Sequence, residues 1–65
     1  MSEAAEIREL ARAGMPPHEA RLSLGRLYER MGRPSEALAQ FRKAVADAPS
    51  ELLPRFELAR ALERS

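Results

Sequence analysis

The chain has 65 residues, no cysteine and one histidine, and its 11 basic and 10 acidic residues give a net charge of +1. This length indicates a single domain over residues 1–65, and the composition excludes disulfides, thiolate zinc sites and a histidine-built metal site. Since arginine and glutamate alternate along the whole chain, no concentrated basic face indicates nucleic-acid binding.

Prolines and glycines divide the sequence into four helical segments. Ala, Leu, Glu and Arg dominate, all of which favour helix, and only two residues are β-branched, which makes strands unexpected. The first predicted helix covers residues 2–14, with Ser2 as its N-terminal cap and Gly14 at its end. Pro16 and Pro17 start the second, which runs to about residue 31, with Gly32 as its C-terminal cap.

The third and fourth segments follow the same punctuation. The third predicted helix covers residues 34–47 and ends before Pro49. Ser50 can cap the fourth, which continues to the end of the chain with Pro54 inside its first turn, where the backbone lacks a partner anyway. Each segment carries apolar residues at helical spacing: positions 4, 7, 10 and 11; 20, 24, 27, 28 and 31; 37, 38, 41, 44 and 45; 58, 61 and 62. Because the loops are short, neighbouring helices are expected to be antiparallel, giving an all-α fold of about four helices.

The second and fourth predicted helices resemble each other at an offset of 34 residues. Five identities fall at this offset, and two further pairs match in size or polarity: Arg21 and Arg55, Leu24 and Leu58, Arg26 and Arg60, Glu29 and Glu63, Arg30 and Arg64, then Gly25 with Ala59 and Leu22 with Phe56. A match of the chain to itself at this period is typical of a helical solenoid.

Residues 18–51 resemble the tetratricopeptide repeat. The family pattern of small and large residues is carried by Leu24, Gly25, Tyr28, Gly32, Ala37, Phe41, Ala44 and Pro49. Arg21 departs from it, since the family often has tryptophan or another large apolar residue there. The resemblance implies an antiparallel helix–turn–helix repeat in a fragment of an α–α solenoid. In that arrangement Gly25 and Ala37 let the two helices approach closely, while Tyr28 and Phe41 fill the space beside them.

The flanking segments resemble half-repeats. Residues 52–65 resemble the first helix of a following repeat or a cap. Residues 2–14 resemble the second helix of a preceding repeat more weakly, with Ile7 and Leu10 aligned to Phe41 and Ala44 at the same offset.

The resemblance implies a binding function for the face formed by first helices. The candidate residues for contact with a protein or peptide partner are Leu22, Arg26, Arg30, Phe56, Arg60 and Arg64. Because guanidinium groups suit carboxylates, we expect a partner with an acidic group and an apolar anchor. A structural alternative stays open. Arg26 with Glu29 and Arg60 with Glu63 are ordinary helix pairs in that case, and Leu22 and Phe56 belong to the core.

The two half-repeats also predict self-association. Each terminal helix lacks the neighbour that would cover one of its faces, so we expect a homo-oligomer, namely a dimer. A closed two-fold dimer would cover both ends, whereas a head-to-tail contact would propagate into fibres. The alternative is a monomer capped by its last helix. We expect no enzymatic activity, no cofactor and no membrane contact. His18 is expected to be an exposed first-turn residue, and the absence of a leader-like or membrane-spanning apolar run indicates a cytoplasmic protein.

Overall fold

The computed structural model describes Ala5 and residues 14–64. This part of the chain contains three helices, α1 (Pro17–Arg30), α2 (Pro34–Asp47) and α3 (Leu52–Arg64). The all-α prediction is confirmed, and the described residues contain three helices where about four are predicted for the whole chain. The remaining predicted helix, at residues 2–14, lies outside the described residues except for Ala5 and Gly14.

The helix ends follow from the prolines and from one glycine. Pro17 and Pro34 are the first residues of α1 and α2, where a missing backbone N–H costs nothing. Beyond the end of α1, Gly32 has a φ of +74°. The N–H of Gly32 donates to the carbonyl of Glu29 at 3.1 Å, and that of Arg33 donates to the carbonyl of Tyr28 at 2.9 Å. These two bonds form a Schellman motif, so Gly32 is the C-terminal cap that the sequence predicts.

α1 and α2 form a hairpin whose closest approach is at Gly25. A Cβ added to Gly25 would lie 2.5 Å from Cε1 of Phe41, closer than real Cβ contacts come. The Phe41 ring is 0% exposed, and Ala37 and Ala44 on the same helix are equally buried. The hairpin therefore depends on the lack of a side chain at one position and on a large ring at the position facing it.

α3 closes the core from the other side. The core cluster combines residues of all three helices, Leu22, Ala37, Phe41, Ala44 and Ala61, with Tyr28, Leu38 and Leu58 partly buried against it. Leu24 is 5% exposed. Three members of the predicted apolar stripes are exposed instead: Leu27 by 38%, Met31 by 53% and Leu62 by 46%. Burial of helix faces is therefore uneven, because neighbouring helices cover only part of each predicted stripe.

Two arginines bind the junction between α2 and α3. Nε of Arg21 donates to Oδ2 of Asp47, the last residue of α2, at 2.6 Å. From the other side, Nη2 of Arg55 donates to the carbonyl of Pro49 at 2.6 Å. Arg21 and Arg55 are equivalent at the 34-residue offset. Pro49 is exposed in the turn after α2. Its carbonyl accepts the hydrogen bond of Arg55, which lies on the following helix.

One polar side chain in the core was not foreseen. Gln40 on α2 is 2% exposed, and its Oε1 has no hydrogen-bond partner among the residues that the structure describes. A buried amide oxygen without a donor is destabilising, because its hydrogen bonds to water in the unfolded chain are not replaced in the folded protein.

Candidate functional site

The candidate surface is built by α1 and α3, and its centre is a carboxylate between two arginines. Nε of Arg26 on α1 lies 3.4 Å from Oε2 of Glu57 on α3, and its Nη2 lies 3.4 Å from Oε1. Nη2 of Arg60, one turn further along α3, donates to Oε2 of Glu57 at 2.7 Å. The structure thus brings together two of the predicted binding residues, and it does so through a third residue, Glu57.

Glu57 is not among the candidate binding residues that the sequence predicts. Its side chain is only 9% exposed, whereas those of Arg26 and Arg60 are 41% and 48% exposed. Two cations around one carboxylate leave this trio with a net charge of +1. The spacing of three residues between Glu57 and Arg60 was the available signal, but Glu63 lies at the same distance on the other side of Arg60.

The ion pairs also differ from the structural alternative considered for the sequence. Arg26 pairs with Glu57 rather than with Glu29, and Arg60 pairs with Glu57 rather than with Glu63. Glu29 faces Nη1 of Arg64 at 3.7 Å, a second contact between α1 and α3. Arg26 and Glu29 of α1 thus both pair with residues of α3, so packing of α3 against α1 decides these two pairings.

Two further charged residues of α1 and α3 are Arg30 and Glu63. Arg30 and Glu63 are exposed, and neither makes an ion pair with another described residue. Each is therefore available to an oppositely charged group of a partner.

The two apolar candidates have opposite environments. Leu22 is 2% exposed and belongs to the core cluster, so it is not accessible to a partner as first expected. Phe56, its equivalent at the 34-residue offset, is 67% exposed. The difference arises because α3 lies beside Leu22, while no helix of the described chain lies over Phe56.

Two cavities flank the carboxylate along the α1–α3 face. One has a volume of about 180 Å³ and is lined by Met15, Glu19, Leu22, Ser23, Arg26 and Leu53. The other has a volume of about 340 Å³ and is lined by Glu29, Gly32, Pro34, Ala61 and Arg64. The smaller cavity combines apolar side chains with Arg26 and Glu19, so it offers an apolar side chain a place close to one basic and one acidic group.

Clustered metal ligands and membrane-spanning helices are absent from the described part of the chain. No group of three or more His, Cys, Asp or Glu side chains there is placed to hold a metal ion. His18 is partly buried rather than fully exposed. None of the helices in residues 14–64 has the length and apolar character required to cross a bilayer.

Comparison with known proteins gives one finding. A family model described as tetratricopeptide repeat matches residues 18–61. Neither the search of curated proteins nor that of solved structures finds a match. The matched residues include all of α2, almost all of α1 and the part of α3 that carries Glu57 and Arg60.

Proposed function

The chain belongs to the tetratricopeptide repeat family, and from this premise we propose that it binds a peptide or partner protein on the face formed by α1 and α3. Repeats of this family generally mediate protein–protein interaction and are typically not catalytic. The partner contributes an acidic group and an apolar side chain.

The arrangement around Glu57 is the observation that supports this proposal. Arg26 and Arg60 share one carboxylate and keep nearly half of their side-chain surface exposed. A carboxylate of a partner would find the remaining positive charge there, and guanidinium groups bind carboxylates with two parallel hydrogen bonds. The cavity of about 180 Å³ next to Arg26 has Met15 and Leu53 in its lining, which provides a place for the apolar side chain.

The test begins with selection of ligands from a library of random peptides displayed on phage. For a selected acidic peptide, Arg26→Gln with Arg60→Gln should weaken binding at least about tenfold, since charge-assisted bonds contribute roughly 1.5–3 kcal/mol each. Arg42→Gln is the matched control, because Arg42 is exposed on α2. Unchanged affinity in the double variant, or equal affinity for a peptide whose acids are replaced by amides, would contradict the proposal.

We also propose that the protein self-associates. The apolar residues of α3 support this, since Leu52, Leu53 and Phe56 are exposed by 66%, 50% and 67%. Light scattering over a dilution series tests it. The molar mass should rise above 7.3 kDa as concentration increases, and a constant monomer mass up to high micromolar concentration would refute self-association.

A second candidate is a purely structural oligomerisation unit with no separate ligand. It is favoured by the fact that Arg26 and Arg60 already have a carboxylate partner within the chain. Peptide selection separates the two candidates. If the library yields no binder while the mass still rises with concentration, the structural unit is correct and the ligand-binding proposal fails.

A further inference from the structure

The contact between α1 and α3 has two halves, which together form what we call the seam. α1 contributes Leu22 and Glu29, and α3 contributes Ala61 and Arg64. Leu22 and Ala61 lie in one core cluster and are 2% and 6% exposed. Glu29 and Arg64 form the ion pair at 3.7 Å. The seam thus combines two residues of one core cluster with one ion pair, and the Arg26–Glu57 pair of the same two helices lies outside it.

Both halves of the seam recur elsewhere in the chain at the 34-residue offset. Leu22 and Glu29 of α1 correspond to Phe56 and Glu63 of α3. Ala61 and Arg64 of α3 correspond to Leu27 and Arg30 of α1. α3 therefore carries a second set of residues like the α1 half of the seam, and α1 carries a second set like the α3 half. The apolar members of these second sets are exposed, Phe56 by 67% and Leu27 by 38%.

We infer that a second copy of this chain binds with its α1 against α3 of the first copy, so that the two equivalent sets of residues form a seam between the copies. In this arrangement Phe56 of one copy packs against Leu27 of the next, and Glu63 pairs with Arg30. The charges are complementary, and neither Glu63 nor Arg30 has an ion-pair partner among the described residues. This inference rests on the proposed self-association and specifies its interface.

One contact of α1 with α3 is not repeated between copies. Arg26 binds Glu57 within the chain, but the residue that corresponds to Glu57 on α1 is Ser23. Arg60, which corresponds to Arg26, keeps its bond to Glu57 at 2.7 Å. The interface between copies therefore has one ion-pair link fewer than the contact within the chain, and association should be weaker and reversible.

Repetition of the seam makes the contact head-to-tail. Each added copy covers Phe56 of its neighbour and exposes its own, so growth continues instead of stopping at a two-fold dimer. The sequence of residues 2–14 agrees with this direction, because Ile7 and Leu10 align with Phe41 and Ala44 of α2 at the same offset.

Two variants, each blocked at one half, test the arrangement. Phe56→Glu loses the α3 half and keeps Leu27, whereas Leu27→Glu loses the α1 half and keeps Phe56. Each variant alone should remain at 7.3 kDa in light scattering at concentrations where the original protein associates. Their equimolar mixture should form a 1:1 complex of twice that mass and no larger species. Recovery on mixing also shows that both variants are folded.

A charge-reversal pair gives an independent readout. Glu63→Arg and Arg30→Glu should each weaken self-association by about tenfold or more, because each places like charges opposite one another. Mixing the two restores opposite charges at every contact and should restore the mass. Arg42→Glu, a reversal on the exposed part of α2, should leave the association curve unchanged.

The possible failures are distinguishable. If the original protein stays monomeric, self-association itself is wrong and this interface with it. If the original protein associates but the Phe56→Glu and Leu27→Glu mixture stays monomeric, or if either variant alone still associates, the head-to-tail seam is wrong and another contact holds the copies together.

Discussion

Replacement of Gly25 by alanine should destabilise the protein, although alanine is the better helix former. In an exposed helix the change would stabilise by about 1 kcal/mol. At Gly25, however, the new Cβ would lie 2.5 Å from Cε1 and 2.9 Å from Cδ1 and Cζ of Phe41. The Phe41 ring is 0% exposed, so it cannot move aside without disturbing α2. Overpacking of this kind costs roughly 1–3 kcal/mol, and a contact this short belongs at or beyond the upper end of that range.

The net loss should therefore be about 2 kcal/mol or more, a large share of the stability of a chain this short. Thermal unfolding followed by circular dichroism should show a midpoint lowered by at least about 8–16 °C. Ala59→Gly is a matched control at the equivalent exposed position of α3, where only the propensity term applies and the loss should be about 1 kcal/mol.

A double variant checks the cause. Gly25→Ala should cost less in a Phe41→Leu background than in the original protein, because the smaller side chain leaves room for the methyl group. A Gly25→Ala protein with an unfolding midpoint equal to or above that of the original would refute the close approach of the two helices.

Three further substitutions probe single features of the fold. Gln40→Met should raise the free energy of unfolding by about 1 kcal/mol in urea titration, because it removes the buried Oε1 that lacks a donor; a clear loss would mean that the amide is satisfied in solution. Gly32→Ala should lower the thermal midpoint by an amount corresponding to about 1 kcal/mol, since a side chain at a φ of +74° is strained. Gly32→Asn should lower the midpoint less. Equal midpoints for the original protein and both variants would exclude the left-handed cap. Glu57→Ala should lower the free energy of unfolding by roughly 1 kcal/mol, because Arg26 and Arg60 lose their shared carboxylate. The difference in stability from the original protein should shrink in 1 M NaCl, and a difference that is independent of salt would indicate lost packing instead.

Local signals in the sequence predict the helices of this fold well. The α2 boundaries follow directly from Pro34 and from the stop before Pro49, and Gly32 marks the cap of α1 because a positive φ favours glycine. The expectation that Gly25 allows α1 and α2 to approach closely depends on the family resemblance. The structure supplies the physical reason, since a Cβ at Gly25 would collide with the ring of Phe41.

The sequence predicts the candidate site less well than the helices, because tertiary packing determines which of its residues are exposed and which are paired. Leu22 and Phe56 occupy equivalent places in the pattern, yet one is 2% and the other 67% exposed. Periodicity gives the face of a helix but not whether a neighbour covers it. Likewise, Arg60 has a glutamate three residues away on either side, and only the position of α1 selects Glu57.

The bonds of Arg21 and Arg55 on either side of the α2–α3 junction have a consequence for longer arrays of this unit. The angle between one hairpin and the next helix sets the curvature of a solenoid, and here two side-chain bonds of 2.6 Å hold the turn between them. Neither bond involves a member of the core cluster. The pitch of an array could thus be altered by shortening or neutralising these two side chains, while the packing around Phe41 stays as it is.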